Sequence, residues 1–224
     1  MKAMDVMVRN VITVRPDADV GDAIELLTKY DISALPVVDD NGRVVGVISE
    51  ADLMHRDEIG TEKRHPRWLE AVMPAFILAN EFAKSHGRRV DEIMSADVIT
   101  ASVDTSLAEI AMLLERHRIK RVPIVDEGKL VGIVSRSNLI QALASSRVQS
   151  DSGSSMDRKI RLDLLDRLHD QTWTDFGERN VIVQDGVVHL WGLVFSTAEH
   201  KALLALAESV PGVVGVSDEM IPGY

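Results

Sequence analysis

Two short segments carry the residue types best suited to holding a sugar. Gly46-Val47-Ile48-Ser49-Glu50-Ala51-Asp52 and Gly132-Ile133-Val134-Ser135-Arg136-Ser137-Asn138 share one form: Gly, two apolar residues, Ser, two variable residues, then Asp or Asn. A glycine lets a ligand approach the backbone, and a serine hydroxyl at a strand end can bond a sugar or phosphate. A carboxylate three residues on can accept two ribose hydroxyls. A single copy would read better as a strand ended by a Ser N-cap, with the acid in the first helical turn. Two copies inside one repeat tip the reading toward a ligand.

The stretches that precede these segments differ in charge. Tyr30-Asp31-Ile32-Ser33-Ala34-Leu35-Pro36 is neutral to acidic, whereas His117-Arg118-Ile119-Lys120-Arg121-Val122-Pro123 is basic. The chain has a formal charge of −10, so His117, Arg118, Lys120 and Arg121 concentrate positive charge against the trend, and such a cluster calls for an anion. The competing reading is a solvated helix end, salt-bridged by Glu109 and Glu115.

The elements that must position these residues are duplicated. Val6-Met7 through Asp39 is echoed by Ile93-Met94 through Asp126, with Val11-Ile12-Thr13 returning as Val98-Ile99-Thr100 and Pro36 as Pro123. The turn Asp39-Asp40-Asn41-Gly42-Arg43 is one residue longer than Asp126-Glu127-Gly128-Lys129, and both have the glycine of a tight hairpin. Each repeat reads as a short strand, a helix, two strands joined by a turn, and a closing helix. Ala23, Ile24, Leu27 and Tyr30 share one helical face, and Leu35 to Val38 and Val44 to Ile48 are the paired strands. Leu107 to Leu114, Val122 to Val125 and Leu130 to Val134 repeat the scheme. Duplicated units of this kind stack their apolar faces and leave ligand clefts along the junction.

Between the repeats, Trp68, Leu69, Val72, Met73, Phe76, Ile77, Asn80 and Phe82 follow a helical pattern. That pattern predicts helices covering the repeat core, with a dimer contact as the lesser alternative. Gln149-Ser150-Asp151-Ser152-Gly153-Ser154-Ser155 has the composition of a flexible tether and marks a boundary. Beyond it, Ile160, Leu164, Leu165 and Leu168 predict a helix. A hairpin through Asp185-Gly186, an Ala- and Leu-rich helix from Thr197 to Ser209, and a last strand after Pro211-Gly212 complete an αββαβ order. Trp173 and Trp191 are expected in the core, and His169, His189 and His200 lack the spacing of a metal site.

Composition narrows the function. With 224 residues, 46% of them hydrophobic, the chain can bury several small cores, and 35 acidic against 25 basic residues disfavour non-specific nucleic-acid binding. The absence of cysteine rules out disulfides, thiol nucleophiles and thiolate metal sites. Charged residues at Lys2, Asp5 and Arg9 interrupt any signal-like stretch, and no segment approaches the roughly 18 apolar residues of a membrane span, so a soluble cytoplasmic protein is expected. No Ser-His-Asp elbow, phosphate-cradling Gly-rich loop or HExxH helix is present, so no catalytic residues and no metal are expected.

The paired Gly-x-x-Ser-x-x-Asp/Asn segments, with Val-Ile-Thr upstream and an apolar-Pro-apolar-apolar-Asp strand between, resemble a tandem cystathionine-β-synthase (CBS) domain pair over residues 1–145. The C-terminal stretch resembles a BON domain over about 70 residues, through Val181-x-Val183, Asp185-Gly186-Val187-Val188, Leu190-x-Gly192 and Val210-Pro211-Gly212-Val213. The resemblance implies a mixed α/β and α+β fold: two βαββα repeats forming a pseudo-twofold pair, and a small αββαβ domain. It divides the chain into repeat 1 (1–60), a helical connection (61–90), repeat 2 (91–145), a linker (146–156) and the BON domain (157–224).

It further implies an adenine nucleotide bound between the repeats, AMP first, with ATP, ADP, NAD or S-adenosylmethionine as alternatives. The neutral cleft would use Thr13, Ser33, Ala34, Pro36, Ser49 and Asp52. The basic one would use Thr100, His117, Arg118, Lys120, Arg121, Val122, Pro123, Ser135 and Asn138. Thr13 and Thr100 would lie near the adenine and Asp52 on the ribose. Asn138 replaces the second carboxylate, although an amide still bonds hydroxyls. The basic strand would contact phosphate, each charge-assisted bond contributing roughly 1.5–3 kcal/mol before desolvation, enough to separate AMP from adenosine. The basic cleft is therefore the expected site. Homodimerisation through the CBS pair, a protein or membrane-surface partner for the BON domain, and no specific nucleic acid complete the expectation. A ligand-independent scaffold is the alternative.

Overall fold

The computed structural model describes residues 1–61, 65–70, 72–145 and 155–223. In chain order the elements are α1 (Ala3–Val6), α2 (Val20–Lys29), β1 (Ala34–Val38), β2 (Val44–Ser49), α3 (Glu50–Leu53), α4 (Arg67–Glu70), α5 (Ala75–His86), α6 (Val90–Ile93) and β3 (Ala101–Ser102). They continue as α7 (Leu107–Arg116), β4 (Arg121–Asp126), β5 (Lys129–Ser135), α8 (Arg136–Ser145), α9 (Ser155–His169), β6 (Val181–Gln184), β7 (Val187–Val194), α10 (Thr197–Glu208) and β8 (Gly215–Pro222). Most of the 146–156 linker expected from composition lies outside the described residues.

Contacts divide the chain into two units. One contains Ile12–Ile99 with Glu127–Leu130, and the other contains Met1–Val11, Thr100–Asp126 and Val131–Tyr224. In the first unit, β1 and β2 form an antiparallel pair with Ala34 opposite Ser49. The expected leading strand is reduced to one parallel bridge, Val14 to Val37. Helix α2 begins at Asp19, whose side chain accepts the Gly21 N–H, and buries Val20, Ala23 and Leu27 against Leu35, Val37, Ile48, Val90 and Ile93. Ile24 and Tyr30, assigned to the same face from their spacing, are over 40% exposed. The inward stripe runs through 20, 23 and 27, which leaves them on its flank.

The connection between the repeats is helical, as its pattern predicts, but it does not cover the core with its large side chains. Trp68, Val72, Phe76 and Phe82 are each more than 60% exposed. These apolar side chains are left open to solvent.

In the second unit β3, β4 and β5 form one sheet, with Ala101 parallel to Ile124. The turn into β5 uses Glu127 and Gly128, both at positive φ (47° and 80°), the paired left-handed residues of a two-residue hairpin turn. Helix α7 starts with a reciprocal cap in which the Glu109 N–H donates to Ser106 Oγ while Glu109 Oε2 accepts from the Ser106 N–H and hydroxyl. Ile110, Leu114, Val122, Ile124 and Val134 form the core with Ala3, Val6 and Met7 of the N-terminal segment.

The C-terminal residues fold as α9-β6-β7-α10-β8, a three-stranded sheet in the order β6-β7-β8 with β7 and β8 parallel. Ile160, Leu164, Leu168, Val188, Leu190 and Leu203 fill its core. Ile182, on the other face of β6, joins the core of the second CBS-like repeat. Trp173, expected in the core, is 42% exposed, its Nε1 donating to Gln171 Oε1 at 2.8 Å. It sits after α9 in irregular chain, where the indole finds a local acceptor and needs no burial.

Candidate functional site

The two motif segments adopt one local structure. At the end of β2 the Ser49 N–H and hydroxyl both donate to Asp52 Oδ2, at 3.0 and 2.8 Å. At the end of β5 the Ser135 N–H and hydroxyl donate to Asn138 Oδ1, at 2.9 and 2.7 Å. The third residue therefore turns back onto the helix start in both copies. This task requires only an acceptor, which explains why Asn138 serves as well as Asp52. Asn138 is 4% exposed, whereas Asp52 keeps partial access.

The glycines have a different role from the one expected of them. A Cβ on Gly46 would overlap the thioether sulphur of Met94, and one on Gly132 would lie 2.6 Å from Met7 Sδ and 3.1 Å from the Val8 carbonyl. They admit a methionine from a neighbouring backbone segment, not a ligand. Met7 and Met94 hold equivalent places in the two repeats, so the close approach is duplicated with the motif.

In the first unit, Ser33, Ala34 and Ser49 gather at one end of the β1–β2 pair, where the Glu50 N–H donates to the Ser33 carbonyl at 3.1 Å. Thr13 precedes the Val14–Val37 bridge, and Pro36 is buried with its carbonyl accepting the Val14 N–H. Asp52 Oδ1 also receives Lys84 Nζ from α5 at 3.2 Å and Ser95 Oγ at 3.4 Å. Neither partner was visible from spacing, because each comes from a segment dozens of residues away.

In the second unit the same scaffold returns with different charge. The Arg136 N–H donates to the Lys120 carbonyl at 3.3 Å, matching the Glu50 to Ser33 bond. Arg118 is left-handed at φ 53°, as is Asp31 at φ 48°, so the bend that ends each repeat's helix is conserved in shape while its side chain changes. His117, Arg118 and Lys120 are exposed and Arg121 is half-buried at the start of β4. Val122 is fully buried in the core and Pro123 is buried beside it. Thr100 is exposed just before β3. Glu109 is committed to the α7 cap, where the Ser106 N–H and hydroxyl hold its carboxyl below the usual range. Among the described residues, the side chains of His117, Arg118 and Lys120 enter no ion pair. The cluster can therefore offer charge to an anion.

The second unit also ties the C-terminal domain to this repeat. Arg161 of α9 is 3% exposed and donates to the carbonyls of Val181 (2.9 Å), Glu178 (2.8 Å) and Met7 (3.3 Å). Desolvation by burial pushes its guanidinium down to about 10. Arg158 meets Asp5 at 2.5 Å, and Glu178 Oε2 accepts the Arg9 and Asn10 N–H groups. The Val8 N–H in turn donates to Ile133 of β5. A continuous chain of hydrogen bonds, closed by the Arg161 side chain, thus links the strand that ends at Ser135 with α9 and β6. No group of metal ligands is found among the described residues, and no described helix is long and apolar enough to cross a membrane.

Comparison with known proteins agrees with this architecture. A family model of the CBS domain matches residues 3–58 and 90–145, and one of the BON domain matches residues 156–221. The chain is 34% identical over 140 residues to the chloroplastic CBS domain-containing protein CBSX2 of Arabidopsis thaliana, a match covering 60% of this chain and 59% of that protein. It is 33% identical over 141 residues to the inosine-5'-monophosphate dehydrogenase of Methanocaldococcus jannaschii, covering 62% of this chain and 23% of the enzyme. A crystal structure of CBSX2 in complex with AMP superimposes with a TM-score of 0.58 at 31% identity, over 66% of this chain and 99% of that one. The duplicated strand, turn and cap, together with these matches, make the chain a member of the CBS-domain family, with two CBS domains in tandem followed by a BON domain.

Proposed function

We propose that this protein is a non-catalytic regulator that binds an adenine nucleotide, AMP foremost, through the basic strand of its second CBS domain, and passes the bound state to its BON domain. The observation that carries the reading is the set of exposed basic side chains His117, Arg118 and Lys120, beside Arg121 and the Ser135 cap, with the nearby Glu109 engaged elsewhere. The AMP complex of CBSX2 supports the choice of ligand. The match to inosine-5'-monophosphate dehydrogenase covers less than a quarter of that enzyme, which supports a regulatory reading over a catalytic one. Thr100 and Asn138 complete the candidate set in this domain, with Val122 and Pro123 forming its strand. Thr13, Ser33, Ala34, Pro36, Ser49 and Asp52 form a second, weaker set in the first.

The path from β5 through Val8 and Met7 to Arg161 gives the signal a physical route, because a shift at Ser135 moves the backbone that Arg161 holds. Isothermal titration tests the assignment. Lys120→Ala/Arg121→Ala should weaken AMP at least tenfold, and undiminished affinity would refute it. Thermal shift with AMP, ATP, ADP, NAD and S-adenosylmethionine ranks the ligands, since a ligand that binds the folded state stabilises it by RT ln(1 + [L]/Kd).

A further inference from the structure

The open face of the BON sheet, away from its hydrophobic core, forms a hollow of about 640 Å³ against the end of α8 at Ala144 and Ser145. Strand pairing places His189 opposite Ser217 and Trp191 opposite Glu219, with Gln184 on the adjoining strand β6. All five line the hollow. Three of their polar atoms are buried without a hydrogen-bond partner: Gln184 Oε1, Trp191 Nε1 and Glu219 Oε2. Gln184 is 5% exposed. The other carboxylate oxygen, Glu219 Oε1, is already held by Ser217 Oγ at 2.6 Å and His189 Nδ1 at 3.1 Å, so the free oxygen is held in a fixed position.

Each unmet buried polar group is costly, and three of them around one hollow specify the chemistry of what would satisfy them. Two are acceptors, one of them a carboxylate, and one is a donor on an aromatic ring. No lysine or arginine is among the described residues lining the hollow. We propose that this hollow is a binding site for a small organic ammonium ion that also carries a hydrogen-bond acceptor. The ammonium donates to Glu219 Oε2, a charge-assisted pairing, and its charge is also favoured near the Trp191 ring, while a second donor on the same molecule reaches Gln184 Oε1 on the far strand. The acceptor takes the Trp191 N–H. None of the nucleotide candidates belongs to this site, so it stands apart from the reading above.

The test uses the full chain with Trp68→Phe and Trp173→Phe, which leaves Trp191 as the one remaining indole of three. Its fluorescence is titrated with 4-aminobutan-1-ol, with butan-1-ol, tetramethylammonium and sodium chloride in parallel. A saturable change with the amine alone, weakened at least tenfold by Glu219→Gln and by Gln184→Met, supports the site. A response that never saturates, an equal response to butan-1-ol or to a donorless cation, or undiminished binding in either substitution overturns it. Thermal melting of each variant shows that it is folded. If one fails to fold, the other decides.

Discussion

The Lys84 ammonium lies 3.2 Å from Asp52, on the carboxylate oxygen not used by the Ser49 cap. Both oxygens of the acid best placed to hold a ribose in the first CBS domain are thus engaged from within the chain. Asn138, at the matching place in the second domain, carries no charge for a cation to capture. Two copies of one motif therefore differ in whether the third residue is held by a cation from elsewhere in the chain.

From this we expect one AMP per chain under dilute conditions, and a second, weaker site that tightens in Lys84→Met. Because the ammonium is nearly half exposed, solvent screening holds the gain to about 1 kcal/mol or less, a few-fold in Kd. Isothermal titration of the variant measures it, and a weak site unaffected by the substitution would show that Lys84 does not compete with ribose.

Substitution of Gly132 by alanine should destabilise the second unit by about 1–3 kcal/mol, because the new methyl group meets both Met7 Sδ and the Val8 carbonyl. The double substitution Gly132→Ala/Met7→Ala removes the flexible half of that clash. It should recover part of the loss relative to Met7→Ala alone in urea denaturation, and absence of coupling would mean that the contact with Met7 is not what the glycine serves.

Arg161→Met leaves three carbonyls without a donor and should cost about 2–4 kcal/mol. The BON domain should then melt separately from the second CBS domain in calorimetry. The pH dependence follows from the lowered guanidinium. A base whose pKa falls on folding, here to about 10, is protonated in both states below that lower value. Its burial penalty is therefore constant at neutral pH, and is relieved only as pH rises above about 10. The loss in Arg161→Met should be flat between pH 6 and 9, and a slope there would point to another titrating group.

The exposed stripe of Trp68, Val72, Phe76 and Phe82 supports self-association. Phe76→Ser with Val72→Ser should shift sedimentation velocity from dimer to monomer while leaving the melting temperature of the monomer nearly unchanged. A wild-type chain that is monomeric at tens of micromolar would refute the dimer.

The sequence alone determined the duplicated units and their strands, helices and turns, because these follow from local rules. β-Branched runs at Leu35 to Val38 and Val44 to Ile48, on either side of the Asn41-Gly42 turn, predicted β1 and β2. Asp185-Gly186 predicted the turn between β6 and β7, and both residues there are left-handed, at φ 52° and 75°. The outline of the candidate site was equally readable, since Ser135 and Asn138 touch across three residues. What the tertiary structure decided involves partners far apart in the chain. Lys84 reaches Asp52 across 32 residues, Arg161 reaches Met7 across 154, and the glycines are explained by methionines from distant segments. The exposed stripe of the connecting helices belongs to the same class, because periodicity shows that a helix has an apolar face but not which way that face points. Such contacts depend on how packed elements meet, and chain spacing carries no record of that.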